Sequence, residues 1–244
     1  MIGRLFITIV GLLVLSANAE EIGELYALGK AYQPGTDRLL YTERHYADVH
    51  KGTIEKVSYL DSEQRQIALK KIAVTSDLYT PEFVQMDFRS GQLIAIKPDY
   101  ENNIEVTYRA KLDAVQSRET IERAPNLVAD SGFNTFVLDN WDSLQSGREL
   151  AMDFVVPSRL STIEMSIKAI DCSKLALRCF SVSPRNIVLR LFVGTIELEY
   201  STDTQQLLKF QGLGNINDFY GKGQKVEIYY EYPSETQMQN EILI

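Results

Sequence analysis

The residues with the most chemistry to offer are few. His45 and His50 are the only histidines of the 244-residue chain, with Glu43 and Asp48 nearby. A histidine held by a carboxylate is the working part of many general-base and zinc sites. The spacing argues against both. Five residues apart in an alternating stretch, the two rings point to opposite faces, and both are expected to be solvent-facing. No G-x-S-x-G elbow is present for a serine nucleophile. Residues 212–217, GLGNIN, begin like a dinucleotide fingerprint, but the sixth position is Asn217 and no helical pattern follows, so a flexible loop between strands is expected. Carboxylates are plentiful, yet no spacing picks out a glycosidase-like pair. These residues assign no catalytic group, no cofactor site and no metal site, and the chain is not expected to be an enzyme.

Three other features carry chemistry of a different kind. Cys172 and Cys179 are the only cysteines. Seven residues apart, they match neither a zinc spacing nor a redox C-x-x-C, and in an oxidising compartment they are expected to form a disulfide. Arg159 stands between apolar strands, two residues after Pro157. It suits either an anion or headgroup contact at the rim of a cavity or, more plainly, a salt bridge to Asp139 or Asp142. The third feature is an aromatic stripe. Phe133, Phe136, Val137, Trp141 and Leu144 recur at helical spacing within residues 130–147. Asp130 or Ser131 can cap such a helix, and Gly147 can end it.

The elements that must position these residues are mostly strands. Alternation with a period of two runs through residues 24–32, 38–48, 53–60 and 66–74, and again through 82–88, 93–97 and 104–109. The adjacent Lys70 and Lys71 break it, which suggests a β-bulge. Residues 111–125 are polar, with one short strand expected near 118–122. Beyond the helix, Leu150, Met152, Phe154 and Val156 share a face, as do Ile163, Met165, Ile167 and Ala169. Residues 171–186 read as a cysteine-flanked connection with some strand character. Residues 188–200 read as one long strand with a bend at Gly194. A glycine-rich loop precedes the last strand, in which Val226, Ile228, Tyr230 and Tyr232 face one way.

The pattern predicts a mainly β fold. The expected form is a curved antiparallel sheet or incomplete barrel, with one amphipathic helix packed across its concave face. The aromatic helix face, with Phe133, Phe136, Val137 and Trp141 over Leu150, Met152, Phe154 and Met165, is either a filled core or a groove for an apolar tail. Filled core is the default at protein packing density. Arg159 would then sit at the rim of such a groove.

The N-terminus reads as an export signal. Arg4 precedes an apolar run over residues 5–15, and Ala17-Asn18-Ala19 fits the small-x-small cleavage rule, so cleavage is expected after Ala19. Residues 20–232 then form a single β-rich domain, and 233–244 a polar tail. Removing residues 1–19 takes away one basic residue, leaving 24 basic against 33 acidic and a net charge of −9. That balance excludes a general nucleic-acid binder, which needs a basic face. The C-terminal residues lack the terminal aromatic of outer-membrane barrels, so an integral membrane protein is not expected.

Successive hairpins with an embedded helix resemble the curved half-barrels of periplasmic lipoprotein carriers of the LolA and LolB type. DSGFNTFVLDNWDSL, VPSRL and GLGNIND resemble uncharacterised exported proteins of Gram-negative bacteria. The carrier resemblance implies a concave sheet closed by a helix, with an apolar cavity for acyl chains. Together these readings give an expected function: a non-enzymatic periplasmic binding or carrier module for a lipid or other amphiphile. The alternative is a structural or protein-interaction factor of the cell envelope with no small-molecule site.

Overall fold

A computed structural model describes residues 23–233 except 49–52, 74, 76 and 100. The expected cleavage site, His50 and the polar tail beyond residue 233 lie outside the described residues. Fifteen strands follow in order: β1 (Glu24–Tyr32), β2 (Leu39–Asp48), β3 (Thr53–Leu60), β4 (Gln66–Ala73), β5 (Glu82–Asp87), β6 (Leu93–Pro98), β7 (Asn103–Arg109), β8 (Ser117–Glu122), β9 (Leu127–Val128), β10 (Leu150–Val156), β11 (Ser161–Ile170), β12 (Leu177–Pro184), β13 (Ile196–Ser201), β14 (Leu207–Leu213) and β15 (Lys225–Glu231). Among the described residues three α-helices interrupt them: α1 (Phe133–Asp139), α2 (Trp141–Gln145) and α3 (Ile187–Val193).

All fifteen strands belong to one sheet. Its order runs from β8 down to β1, crosses to β15, and descends again to β9. Every neighbour is antiparallel except β9 beside β10. The first and last strands pair, with Ala31 opposite Ile228, which joins the two meanders into one surface. The sheet is mainly β by composition, open, and not closed into a barrel, as the alternation predicts. It is strongly curled, however. Its two edges, β8 and β9, are separated in sequence only by residues 123–126, which can span at most ~14 Å. Phe83, Ile96, Ile104 and Val106 from one limb pack with Leu127, Ala129 and Val155 from the other. The two edge strands are not paired with each other; the limbs meet there through these side chains and through the Ala129 amide, which donates to the Tyr79 carbonyl at 2.9 Å.

Because neighbouring strands are antiparallel, the turns alternate between two rims. One rim carries the turns after β1, β3, β5, β7, β10, β12 and β14; the other carries those after β2, β4, β6, β11 and β13. The long β14–β15 loop folds across the first rim. Ile216 is buried in the core there, the Gln85 side-chain amide donates to the Asn215 carbonyl at 3.2 Å, and Arg89 Nη2 donates to the Asn217 carbonyl at 2.9 Å. The loop expected to be flexible is therefore a plug, fixed by a buried apolar side chain and by polar bonds across the curl.

The helix forms as expected but in pieces. A 3-10 turn, Asp130–Gly132, leads into α1, and Asn140 separates α1 from α2. Neither Asp130 nor Ser131 makes a capping bond; Gly132 holds the cap position of α1. A Cβ on Gly132 would lie 2.0 Å from the Tyr79 carbonyl oxygen, so only glycine lets the helix start this close to the β4–β5 turn. Gly147 closes the segment with φ +83, as its type predicts.

Two local expectations are corrected. The long strand over 188–200 is α3 followed by β13. Asn186 caps the helix by accepting from the Val188 and Leu189 amides, and Gly194 at φ +79 ends it. Local capping overrides the β-propensity of Ile187 and Val188. Nor is there a bulge at the lysines: Lys70 pairs with Val57 and Lys71 with Lys56 in unbroken register. Lys70 breaks the apolar pattern because it is a charged residue on the buried face.

Candidate functional site

The concave face holds two regions of different character. On one side, α1 and α2 lie on β10–β13. Phe136, Val137, Trp141 and Leu144 pack with Met152, Met165, Phe180 and Tyr200 into a filled cluster. Trp141 meets Phe180 and Tyr200 edge to face, with ring centroids at 5.4 and 5.6 Å. Leu150 and Phe154 pack against the margin of this cluster. Phe136, Val137 and Trp141 lie in this filled core, while Phe133 is only partly buried at its margin. Arg159 is exposed at the first rim, among the described residues forms no ion pair with Asp139 or Asp142, and does not line the cavity described next.

On the other side of α1 a cavity of about 500 Å³ lies between the helix and strands β1–β4, β14 and β15. Among the residues singled out for a ligand, Phe133 alone lines it; Phe133 also packs edge to face on Phe154. Small residues make the space. The inward face of β1 carries Ala27, Gly29 and Ala31, and a Cβ on Gly29 would come within 2.8 Å of the Tyr230 ring. Walls of Ala47, Ile54, Val57, Ile72, Leu138 and Phe210 are apolar. The mouth faces the second rim, past Tyr26, Leu78, Thr204 and Tyr232; at the far end the plug contributes Gly214 and Asn215.

Polar groups gather inside. On β2, Glu43 and His45 face inward with Ala47. His45 Nε2 and the Tyr230 hydroxyl both reach Glu43 Oε2, at 3.0 and 3.1 Å. The Glu43 side chain is 4% exposed and that of His45 15%, so His45 is not the solvent-facing residue its spacing suggested. Lys70, 4% exposed, forms an ion pair with Asp130 at the helix entry. A buried charge is tolerated when paired and hydrogen-bonded, and each charged group here has such a partner. Burial first, and then the Glu43 carboxylate, push the Tyr41, Tyr59 and Tyr230 phenols well above their ordinary value. These three groups therefore stay protonated; the Tyr230 hydroxyl donates to Glu43, whereas the Tyr41 hydroxyl is buried without a protein partner.

Two hydroxyls on the cavity wall, Thr53 Oγ1 and Ser131 Oγ, are buried without a protein partner. Ser131 is thus not paired with His45. The arrangement can hold an apolar body against the walls and offer hydroxyl, amine and carboxylate groups to a polar end. Among the described residues no group of three or more His, Cys, Asp or Glu is placed to hold a metal ion. Cys172 and Cys179 form the expected disulfide, which ties the end of β11 to β12 at the second rim, away from the cavity lining.

Two of the three distinctive sequence motifs meet here. From DSGF come Asp130, Ser131 and Phe133; from GLGNIND come Gly214 and Asn215. Sequence reasoning missed Glu43, His45, Lys70 and Tyr230. The available signal was a charged or titratable residue at an inward position of an otherwise apolar alternation.

No family model, curated protein or solved structure matches the chain. Among the described residues no helix is long and apolar enough to cross a membrane.

Proposed function

We propose that the protein is a non-enzymatic binding or carrier module of the periplasm, taking a lipid or other amphiphile into the cavity beside α1. The observation that carries this reading is the cavity itself: about 500 Å³, apolar walls, and a paired polar interior with two unpartnered hydroxyls. That volume lies within the usual range for small-molecule sites, roughly 300–1,000 Å³, and the balance of many apolar and few polar groups is theirs too. An acyl chain would lie along Ala27, Ala47 and Ile72, with its polar end towards Ser131 and Lys70. The export signal and the resemblance to half-barrel carriers support the same reading, with the helix closing a concave sheet.

The test is occupancy of the cavity. Dansyl-undecanoic acid should bind the wild type with a blue-shifted probe emission. Ala27→Phe, which fills the cavity from β1, should abolish binding while leaving Trp141 emission unchanged, because Trp141 lies in the filled core across the helix. Equal binding by the two proteins would exclude this cavity as the site. A second reading, an interaction factor of the envelope without a small-molecule site, is favoured by the exposed apolar side chains at the plugged rim. It predicts that Ala27→Phe leaves the protein's cellular role intact.

A further inference from the structure

The rim closed by the plug carries an unusual surface. On α3, Leu189 packs against the core, while Ile187, Val188 and Leu191 point outward and are 73%, 57% and 82% exposed. On the β14–β15 loop, Phe219 and Tyr220 are each 84% exposed. Both segments are held in place. Asn186 caps α3, and Asp218 accepts from the amides of Tyr220 and Lys222 at 2.9 and 2.8 Å. They are also neighbours: the Lys225 amine, at the end of the loop, lies against Gly194, the residue that ends α3. The large apolar side chains here are thus displayed by ordered backbone.

The charges around them are one-sided. Arg190, Lys222 and Lys225 are exposed, and among the described residues none of them pairs with a carboxylate. Two of the acids nearby are engaged, Glu164 with Arg185 and Asp218 with backbone amides. The chain as a whole carries a net charge of −8, so this cationic rim runs against its overall balance. Exposed aromatic and aliphatic side chains flanked by Arg and Lys match the physical requirements of an interfacial anchor: apolar groups enter the acyl boundary while the cations meet anionic headgroups. A protein partner or a second copy of this chain would need neither the cations nor their lack of counter-charges; a second copy would bring the same positive charge to the contact.

We infer that α3 and the β14–β15 loop form a docking surface for an anionic phospholipid bilayer. The cavity mouth lies at the opposite rim, so docking and cavity filling are separable, and this inference does not depend on the cavity having a ligand.

The experiment is vesicle flotation with the chain from Glu20 onward, which retains every described residue. The vesicles are phosphatidylcholine alone and phosphatidylcholine mixed with phosphatidylglycerol. Wild type should float with the mixed vesicles and not with the neutral ones. The double variant Leu191→Glu, Phe219→Ser should bind the mixed vesicles at least about ten-fold more weakly. Its Trp141 emission and cooperative unfolding should match wild type, since neither position contributes to the core. Lys222→Glu with Lys225→Glu, which leaves every apolar side chain in place, should weaken binding at low salt and lose its difference from wild type at high salt. No flotation of wild type, or equal flotation of wild type and the Leu191/Phe219 variant, would overturn the inference. So would a concentration-dependent dimer, abolished by that variant, in a protein that ignores vesicles.

Discussion

Lys70 is a buried cation on the inward face of β4. Its side chain is 4% exposed and it depends on Asp130 for counter-charge. Asp130→Ala should cost on the order of 2–4 kcal/mol, somewhat below the full value for a broken buried pair because Asp130 is 32% exposed. Lys70→Met combined with Asp130→Ala should recover most of that loss, since no unpaired charge then remains. Urea unfolding of the three proteins checks this, and a double variant no better than the single would contradict it. Asp77 gives a pH-dependent case. Burial by itself would raise its carboxyl, but the Thr80 hydroxyl, the Thr80 and Tyr79 amides and Arg123 outweigh that and hold it below its ordinary value. A depressed folded-state pKa adds stability above the unfolded carboxylate value of about 3.9 and loses it as pH falls through the lower folded value. The stability gap between wild type and Asp77→Asn should therefore be full at pH 6 and shrink steadily in acid. A gap independent of pH would show that the carboxylate does not anchor this turn.

The helix separates a packed face from a wall. Trp141 is 5% exposed among Phe180 and Tyr200, so Trp141→Ala should cost roughly 3–5 kcal/mol. Leu138 lies half-buried on the cavity side, and Leu138→Ala should cost only about 1–2 kcal/mol because part of its side chain already faces open space. Thermal and urea unfolding compare the two directly. Similar losses would mean that the cavity side is packed as tightly as the core side. The stripe of Phe133, Phe136, Val137, Trp141 and Leu144 survives the break at Asn140, whose amide and side chain both donate to the Phe136 carbonyl. Those two bonds keep α2 in line with α1.

At the scale of the molecule, β15 is the strand on which the sheet depends. It pairs with β1 on one side and β14 on the other, and it contributes Val226 and Ile228 to the core and Tyr230 to the cavity. A chain ending at Gln224 should split the sheet into two meanders with four edges in place of two, β1 and β14 being newly unpaired. It should show no cooperative unfolding transition, whereas an edge strand such as β8, whose residues are nearly all exposed, should be far more tolerant of change. Circular dichroism with urea titration decides it; a cooperative transition in the truncated chain would show that the limbs fold independently.

Local pattern alone was enough for several features. The period of two placed most strands, the 3.6-residue stripe placed the helix and its buried face, Gly147 marked its end, and the spacing of Cys172 and Cys179 indicated their bond. These depend on residues near one another in the chain. The cavity does not. An alternating strand shows which residues share a face, but Glu43, His45 and Lys70 are polar residues on the inward face, and polarity by itself assigned the histidine outward and read the lysine as a bulge. Only the curl of the sheet shows that these positions face α1. The GLGNIND loop became a plug through contacts such as Gln85 with Asn215, 130 residues apart. α3 escaped the reading because Ile187 and Val188 favour strands, while the Asn186 cap and the packing of Leu189 favour a helix. The sequence by itself determined the elements and one filled core. Tertiary structure decided where the space remained, because that depends on which distant faces the curled sheet brings together.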